Sequence, residues 1–330
     1  MSILSKLTSA AAIGAAVTTL GVTQALAQEY TFRLPHVTSA TEPLHEGLEH
    51  FAGLVNERSG GRIDVTVFPG AQLGTNQEMF EQVRLGAPLI ILADPGYLSD
   101  YVADFGVLNG PYLLDSPGDF TKILASDWFA GMTDRVREES EFELLSLNWF
   151  FGDRNVISNM EVRSVDDFSG LAIRVPPNVM WIETFSALGA RGEQIAWSEV
   201  YGALASGVVD AAEAPLGSIL GASLQENAKT ISMTGHFYSW IGLMMNKDVF
   251  AGMPEDLQEI LLTASIDAGD FMTELVQSKQ DELIATLEGQ GVTFVTDVDR
   301  AGMREATQSV YEAFPEWTDG LYGTVRAILD

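Results

Sequence analysis

The chain of 330 residues contains no cysteine. Disulfide bonds, thiolate catalysis and sulfur-ligated metal sites are therefore excluded, and stability must come from a packed core. Positive charge is also scarce, because 18 Lys and Arg residues face 46 Asp and Glu residues and leave a formal net charge of −28. Such a surface repels nucleic acid and anionic lipid. We expect no nucleic-acid partner, and any anion site must be built locally from the few arginines.

The N-terminus has the layout of a secretory signal peptide. Lys6 precedes an uncharged stretch of small apolar residues at positions 10–22, and an A-x-A cleavage site occupies positions 25–27. The alternative is a buried N-terminal helix, for which a run of Ala, Thr and Gly is poorly suited. The pattern predicts that residues 1–27 are a signal peptide cleaved after Ala27 and that the mature protein is periplasmic.

Long apolar runs are missing from the rest of the chain. None reaches the roughly 18–20 residues that a membrane-spanning helix needs. The strongest candidate, residues 87–93, is short, contains a proline and is closed by Asp94 and Pro95, as is typical of a buried strand. We expect a soluble mature chain.

Apolar periodicity predicts two α/β units without a linker between them. The first unit alternates strands and helices over residues 30–35, 44–58, 62–68, 76–85 (capped by Asn76) and 87–93. The second unit has strands at 144–151, 154–158, 171–175 and 208–213 and helices at 179–188 and 198–206. Further elements are expected at 117–139 (helical), 231–233, 240–246 and 292–295 (strands) and 299–314 (helix).

A helical pattern that begins at Pro254 and continues to about residue 289 is longer than most globular helices. These features predict an α/β fold of two lobes, joined by crossing strands and spanned by the long helix, with a ligand cleft between them. The expected boundaries are 28–151 plus about 240–279 for lobe I, and 152–239 plus about 280–330 for lobe II.

Catalytic motifs are absent from the sequence. There is no G-x-S-x-G elbow, phosphate loop, H-E-x-x-H pair or dinucleotide-binding glycine pattern. The four histidines are scattered, which argues against a metal-binding pair. We predict no catalytic residue, no metal and no cofactor.

Two arginines stand at strand ends. Arg174 lies between apolar residues just before a Pro-Pro pair, and Arg154 opens a strand after Gly152 and Asp153. A guanidinium at a cleft rim can hold a carboxylate through two parallel hydrogen bonds. The alternative for each is an inter-strand salt bridge, with Asp153 or Asp94 as candidate partners.

Several segments closely resemble the substrate-binding subunits of tripartite ATP-independent periplasmic (TRAP) transporters. The most specific are SVDDFSGLAIRVPPNVMWIETFSALGA (164–190) and AWSEVYGALASGVVDAAEAPL (196–216). Others are FFGDRNVISN (150–159), FPGAQLG (68–74), EQVRLGA (81–87), TGHFYSW (234–240) and MPEDLQEILLTA (253–264). The resemblance covers essentially the whole mature chain.

The resemblance implies roles for particular residues. The arginine that clamps the ligand carboxylate in the family falls on Arg174, and a second anion contact falls on Arg154. The aromatic residue that lines the pocket is Trp197. A family asparagine that contacts the ligand is replaced here by Ala214, so Glu213 is expected to face the ligand instead. The alternative is that Glu213 points into its lobe and caps a helix or pairs with an arginine.

Three further positions are expected in the cleft wall. Asp94 and His36 resemble cleft-wall positions of the family, and Asn178 follows the Pro-Pro pair. Together with Glu213 they offer partners for ligand hydroxyl groups. Because carboxylates in the wall repel a second ligand carboxylate, a sugar acid or hydroxy acid is favoured over a C4-dicarboxylate.

The sequence therefore predicts a periplasmic solute-binding protein that captures a small organic acid and delivers it to TRAP membrane subunits. We expect a monomer without enzymatic activity. One alternative is a ligand-sensing partner of a membrane receptor, and a more remote one is a secreted α/β enzyme that acts on a carboxylate.

Overall fold

The computed structural model describes residues 28–330. The predicted signal peptide and its cleavage site lie outside the described residues. The strands are β1 (Tyr30–Pro35), β2 (Ile63–Phe68), β3 (Ile90–Ala93), β4 (Phe142–Ser158), β5 (Ala172–Val175), β6 (Arg191–Gln194), β7 (Ala211–Ala214), β8 (Thr230–Asn246) and β9 (Thr293–Val295).

Helices and short 3-10 segments connect these strands. The α-helices are α1 (Pro43–Arg58), α2 (Asn76–Arg84), α3 (Pro95–Leu98), α4 (Phe120–Leu124), α5 (Asp127–Glu139), α6 (Val179–Ala187), α7 (Val200–Ser206), α8 (Leu216–Gly221), α9 (Lys247–Ala251), α10 (Glu255–Gly289), α11 (Arg300–Ala306) and α12 (Leu321–Leu329). None of the helices found within residues 28–330 combines the length and the apolar composition that crossing a membrane requires.

Two long antiparallel strands, β4 and β8, run through the whole molecule. Each has 17 residues, and their pairing extends from Phe142 opposite Asn246 to Ser158 opposite Thr230. At one end β3 pairs with β8, while at the other end β7, β5 and β6 extend the sheet from β4 and β9 pairs with β8. The crossing strands that join the two lobes are therefore β4 and β8.

Apolar residues at regular spacing form the core of the first lobe. In β1 the alternation buries Phe32 and Leu34, and β1 pairs in parallel with β2. Helix α1 buries one face that includes Leu44, Leu48 and Phe51, because residues three and four positions apart share a side of a helix. This packing holds the carboxyl ends of β1 and β3 beside the crossing strands.

Helix α10 has 35 residues and contacts both lobes. Its first half packs against α1 and β4 through small residues; Gly269 lies so close to Trp149 that a Cβ there would overlap the indole. Its second half packs against α8, and Leu287 belongs to a second hydrophobic cluster with Ile157 and Ile231. The predicted two-lobe α/β fold with a lobe-spanning helix is confirmed by this architecture and by the related structures described below.

The lobe boundaries stay a prediction. The C-terminal helix α12 packs against α4 of the first lobe, where Lys122 Nζ donates to the Leu329 carbonyl (2.8 Å) and Arg326 Nη1 donates to the Leu113 carbonyl (2.6 Å). These contacts favour the assignment of α12 to lobe I, whereas the sequence-based boundaries place it in lobe II.

Several local predictions need correction. Helix α2 is capped by Thr75, whose side chain forms a reciprocal capping box with Glu78, and not by Asn76. The strands predicted at 144–151 and 154–158 are one strand, as are those at 231–233 and 240–246. Residues 299–314 form α11 followed by a 3-10 segment at Gln308–Glu312. Sequence periodicity did not predict β6, α3, α8, α9 or α12.

Candidate ligand-binding site

A cavity of about 140 Å³ lies between the two lobes. The first lobe contributes, among others, Thr38, Leu44, Asn76, Phe80, Asp94 and Tyr97 to its wall. The second lobe contributes, among others, Arg154, Arg174, Asn178, Trp181, Trp197 and Ser218. Most of these residues stand at strand ends or in first helical turns, which is where α/β folds place ligands.

Arg174 is the arginine of the cavity wall whose terminal guanidinium N–H groups stay available to a ligand. It lies near the end of β5, is 3 % exposed, and uses its Nε to donate to the carbonyl of Ile195 (2.9 Å). Its guanidinium carbon lies 5.2 Å from the centroid of the Trp197 ring, which fixes the plane of the fork. Across residues 28–330 no carboxylate forms an ion pair with it. Burial lowers the pKa of Arg174 to about 10, because a desolvated cation without an anionic partner is costly.

Arg154, in contrast, already has an anionic partner. Its Nε and Nη2 donate to the two carboxylate oxygens of Glu213 at 2.5 and 2.6 Å. The Arg154 guanidinium also lies 5.4 Å from the centroid of the Trp181 ring, and both residues line the cavity. Sequence reasoning named Asp153 and Asp94 as possible partners, whereas the pairing of β4 with β7 brings Glu213 there instead.

Glu213 does not line the cavity, and its placement matches the alternative in which it pairs with an arginine. Its side chain is fully buried behind Arg154, is absent from the cavity wall, and also contacts His236, whose Nε2 lies 3.2 Å from Oε2. Burial acts to raise the pKa of Glu213, but the adjacent Arg154 outweighs it and lowers that pKa to about 2. The pair balances both buried charges, and Glu213 presents no oxygen to the cavity wall.

Asp94 and Asn178 both cap short helices at the cavity. Asp94 Oδ1 accepts from the backbone N–H of Gly96 (2.7 Å) and from Asn109 Nδ2 (2.9 Å), and burial raises the pKa of Asp94. Asn178 Oδ1 accepts from the N–H of Met180 (2.9 Å), which leaves its Nδ2 as a donor. The two lobes touch here, since a Cβ at Gly96 would overlap the Asn178 amide.

His36, another predicted wall residue, lies behind the wall. It is fully buried, its Nδ1 lies 2.8 Å from Thr38 Oγ1, and its Nε2 lies 3.0 Å from His45 Nδ1. The end of β1 turns the imidazole into the lobe, and Thr38 occupies the cavity wall in its place.

A hydrogen bond beside the cavity also connects the lobes. Ser218 Oγ, in α8, donates to Glu42 Oε2 (2.6 Å), and the Ser39 N–H donates to Glu42 Oε1 (2.9 Å). Glu42 is 3 % exposed. Burial raises the pKa of Glu42 to about 7, although both hydrogen bonds act to lower it.

Sequence reasoning missed Thr38, Trp181 and Tyr97. Trp181 follows Asn178 by three residues, so both lie on the same side of the first turn of α6, and this spacing could have indicated it. Tyr97 likewise follows Asp94 by three residues. Within the part of the chain that the structure describes, no group of three His, Asp or Glu side chains is arranged to hold a metal ion.

Two lobes connected by crossing strands, with a buried unpaired guanidinium in the cleft, define a two-lobe binding protein. The family "bacterial extracellular solute-binding protein, family 7" matches residues 34–316. The chain belongs to this family, and its predicted relationship to TRAP substrate-binding subunits is confirmed.

Known proteins of this kind are similar along nearly the whole described chain. A TRAP periplasmic solute-binding protein from Ochrobacterium anthropi, with bound L-fuconate, has a TM-score of 0.88 at 31% identity and covers 91% of this chain and 100% of its own. One from Actinobacillus succinogenes 130Z, with bound L-galactonate, has a TM-score of 0.88 at 28% identity and covers 91% and 99%.

A curated relative is longer than this chain. The uncharacterised protein y4mM of Sinorhizobium fredii is 31% identical over 285 residues, which is 86% of this chain and 52% of that protein. This chain therefore spans about half the length of that relative.

Proposed function

We propose that the protein binds a hydroxylated monocarboxylate of the sugar-acid class and delivers it to the membrane subunits of a TRAP transporter. The observation that carries the proposal is the Arg174 guanidinium, which is buried in the cleft without a carboxylate partner among residues 28–330. Its planar fork matches a carboxylate, and two parallel charge-assisted hydrogen bonds would satisfy both. Two similar proteins hold L-fuconate and L-galactonate, which are hydroxylated monocarboxylates.

The polarity of the wall supports one orientation of such a ligand. The second lobe presents donors, namely the Arg174 fork and Asn178 Nδ2. The first lobe presents the carboxyl group of Asp94, whose Oδ1 is held by Gly96 and Asn109. A ligand carboxylate therefore fits against the second lobe and its hydroxyl groups against the first.

Asp94, and not Glu213, is the carboxylate of the cavity wall that disfavours a dicarboxylate ligand. Because Glu213 is paired with Arg154 and does not line the cavity, it offers no direct contact to a ligand. In its ionised form Asp94 accepts from hydroxyl groups but repels a second carboxylate; burial opposes that form, whereas the Gly96 N–H, Asn109 and the Arg154 charge favour it. The favoured class stays the sugar acids, with succinate and malate as the competing class.

Affinity must come from several contacts. A charge-assisted hydrogen-bonded pair contributes on the order of 1.5–3 kcal/mol net, while a micromolar complex needs about 8 kcal/mol. Contacts of ligand hydroxyl groups with Asp94 and Asn178, and of its carbon chain with the ring of Trp197, would supply the remainder. The same set contains no nucleophile–base pair, and we propose binding without turnover.

Isothermal titration calorimetry tests the ligand class. The mature protein is titrated with L-galactonate, L-fuconate, succinate and malate, and Arg174→Lys serves as the variant that keeps charge but loses the fork. We expect heat from the aldonates with the unmodified protein and a strongly reduced affinity in the variant. Tight binding of succinate or malate, with no detectable binding of either aldonate, would contradict the proposal.

We also propose export with cleavage after Ala27 and a monomeric mature protein. The support is the A-x-A layout of the sequence and the periplasmic location stated for similar proteins. Mass spectrometry of the exported protein would give its first residue, which we expect to be Gln28. Light scattering at micromolar concentration would reveal a dimer if the second expectation is wrong.

A further inference from the structure

A line of polar side chains, joined by two hydrogen bonds and one longer contact to a carboxylate, runs from the cavity wall to the surface of the first lobe. It begins at Thr38 in the wall, continues through buried His36 to His45 in α1, and ends at Glu49 one helical turn later. The distances are 2.8 Å from Thr38 Oγ1 to His36 Nδ1, 3.0 Å from His36 Nε2 to His45 Nδ1, and 3.7 Å from His45 Nε2 to Glu49 Oε1.

Only one proton can lie between the two imidazoles when both are neutral. Burial lowers the pKa of His36 to about 4, so His36 is neutral at neutral pH. If the shared proton belonged to His45 Nδ1, the bare lone pair of His45 Nε2 would face the carboxylate of Glu49. That arrangement is repulsive, whereas a proton on His45 Nε2 is attracted to the carboxylate.

The preference for a proton on His45 Nε2 sets which group donates and which accepts in both hydrogen bonds of the line. With its proton on Nε2, neutral His45 has an acceptor at Nδ1, and His36 Nε2 must carry the proton that points to it. His36 Nδ1 is then an acceptor as well, so the Thr38 hydroxyl donates its hydrogen to His36. The Thr38 oxygen then has no hydrogen left to donate and can only accept a further hydrogen bond.

We infer that His36, His45 and Glu49 act as positioning residues that make Thr38 a hydrogen-bond acceptor for a hydroxyl group of the ligand. The inference rests on the proposed function and extends it. Thr38 would join Asp94 in presenting acceptors from the first lobe, opposite the donors of the second lobe. A ligand hydroxyl fits such an acceptor, and a ligand carboxylate does not.

Nuclear magnetic resonance tests, without any ligand, which group is the donor in each of these hydrogen bonds. Long-range proton–nitrogen correlation spectra of histidine-labelled protein report which ring nitrogen carries the proton. In spectra recorded where both rings are neutral, we expect protons on Nε2 of both His36 and His45. A proton on Nδ1 of His36 would overturn the inference.

A surface substitution tests the coupling of Glu49 to the cavity. Glu49→Gln removes an exposed charge, so the fold should tolerate it, but the preference for one tautomer should weaken. We expect a population of His36 with its proton on Nδ1 and an affinity for L-galactonate that falls roughly two- to fivefold, because the charge acts through a partly solvated path. Glu57→Gln, at an exposed position of the same helix without an ion pair, is the matched control and should change neither quantity.

Substitutions of Thr38 test whether its hydroxyl oxygen accepts a hydrogen bond from the ligand. Thr38→Val keeps the shape and removes the hydroxyl, so L-galactonate should bind on the order of tenfold more weakly, whereas Thr38→Ser should bind nearly as well as the unmodified protein. Equal affinity of the Val variant would overturn the role of Thr38. If neither aldonate binds the unmodified protein, the proposed function fails, while the ring-nitrogen spectra still decide the direction of the Thr38 hydroxyl.

Discussion

The buried carboxyl group of Glu42 predicts an unusual dependence of stability on pH. It bridges Ser39 in the first lobe and Ser218 in the second, at 3 % exposure. Replacing it by glutamine, Glu42→Gln, keeps the size and removes the ionisation. The amide oxygen can still accept from the Ser39 N–H while the amide NH₂ donates to Ser218 Oγ, so both hydrogen bonds can be kept.

The magnitude follows from the pKa of Glu42, which rises from an ordinary value of 4.5 to about 7 in the fold. A raised pKa means that the folded protein holds the proton more tightly than the unfolded chain does. The stabilisation from this group is therefore complete below about pH 4.5 and is lost as the pH rises to about 7. Since one pKa unit corresponds to about 1.36 kcal/mol, the ionised carboxylate costs the fold about 3 kcal/mol above pH 7.

Glu42→Gln should thus have an effect that depends on pH. At about pH 5, where Glu42 is protonated in the fold, the variant should lie within about 1 kcal/mol of the unmodified protein. At about pH 8 it escapes the penalty of the ionised carboxylate and gains about 3 kcal/mol. Urea unfolding at both pH values measures the free energy of unfolding, and Glu57→Gln is the control, expected within about 0.5 kcal/mol of the unmodified protein at each. An equal effect of Glu42→Gln at the two pH values would refute the reasoning.

Four further predictions concern the site, the crossing strands and helix α1. Arg174→Ala should cost about 2–5 kcal/mol of L-galactonate binding by calorimetry, because the ligand charge is left buried and unpaired; near-native affinity would remove Arg174 as the anchor. Glu213→Gln should lower the free energy of unfolding by about 3–5 kcal/mol in urea, since Arg154 loses its buried counter-charge; an unchanged midpoint would contradict this. Gly242→Ala should destabilise by more than about 4 kcal/mol, because its Cβ would overlap a backbone carbonyl of the paired strand. Gly53→Ala, in open space on α1, should instead stabilise by up to about 1 kcal/mol.

Elements whose pattern is local were predictable from the sequence. The alternation of β1 and the apolar face of α1 depend on residues a few positions apart, and both elements lie where the periodicity predicts them. The long helix α10 follows Pro254 and ends within a residue of the expected position. The cap of α2 was also encoded locally, but the Thr75–Glu78 capping box was overlooked.

The continuity of the crossing strands was not predictable in the same way. Gly152, with a φ of 126°, and Gly235, with a φ of 51°, interrupt the apolar pattern and are typical of breaks between strands. In the fold, register shifts between β4 and β8 absorb these residues, and both strands continue. Pairing between distant segments decides this, and local periodicity does not contain it.

The residues of the site also separate into those that local sequence predicts and those that only long-range pairing places. The sequence by itself determined the family and placed Arg174 at a strand end, because strand ends and their flanking prolines are local features. It left open whether Glu213 meets the ligand or an arginine. Only the tertiary structure decided, since β4 and β7 are paired in a register that sets Glu213 beside Arg154, 59 residues earlier in the chain. A buried charge takes whichever opposite charge the fold brings within hydrogen-bonding distance, and that distance is a property of the packed strands.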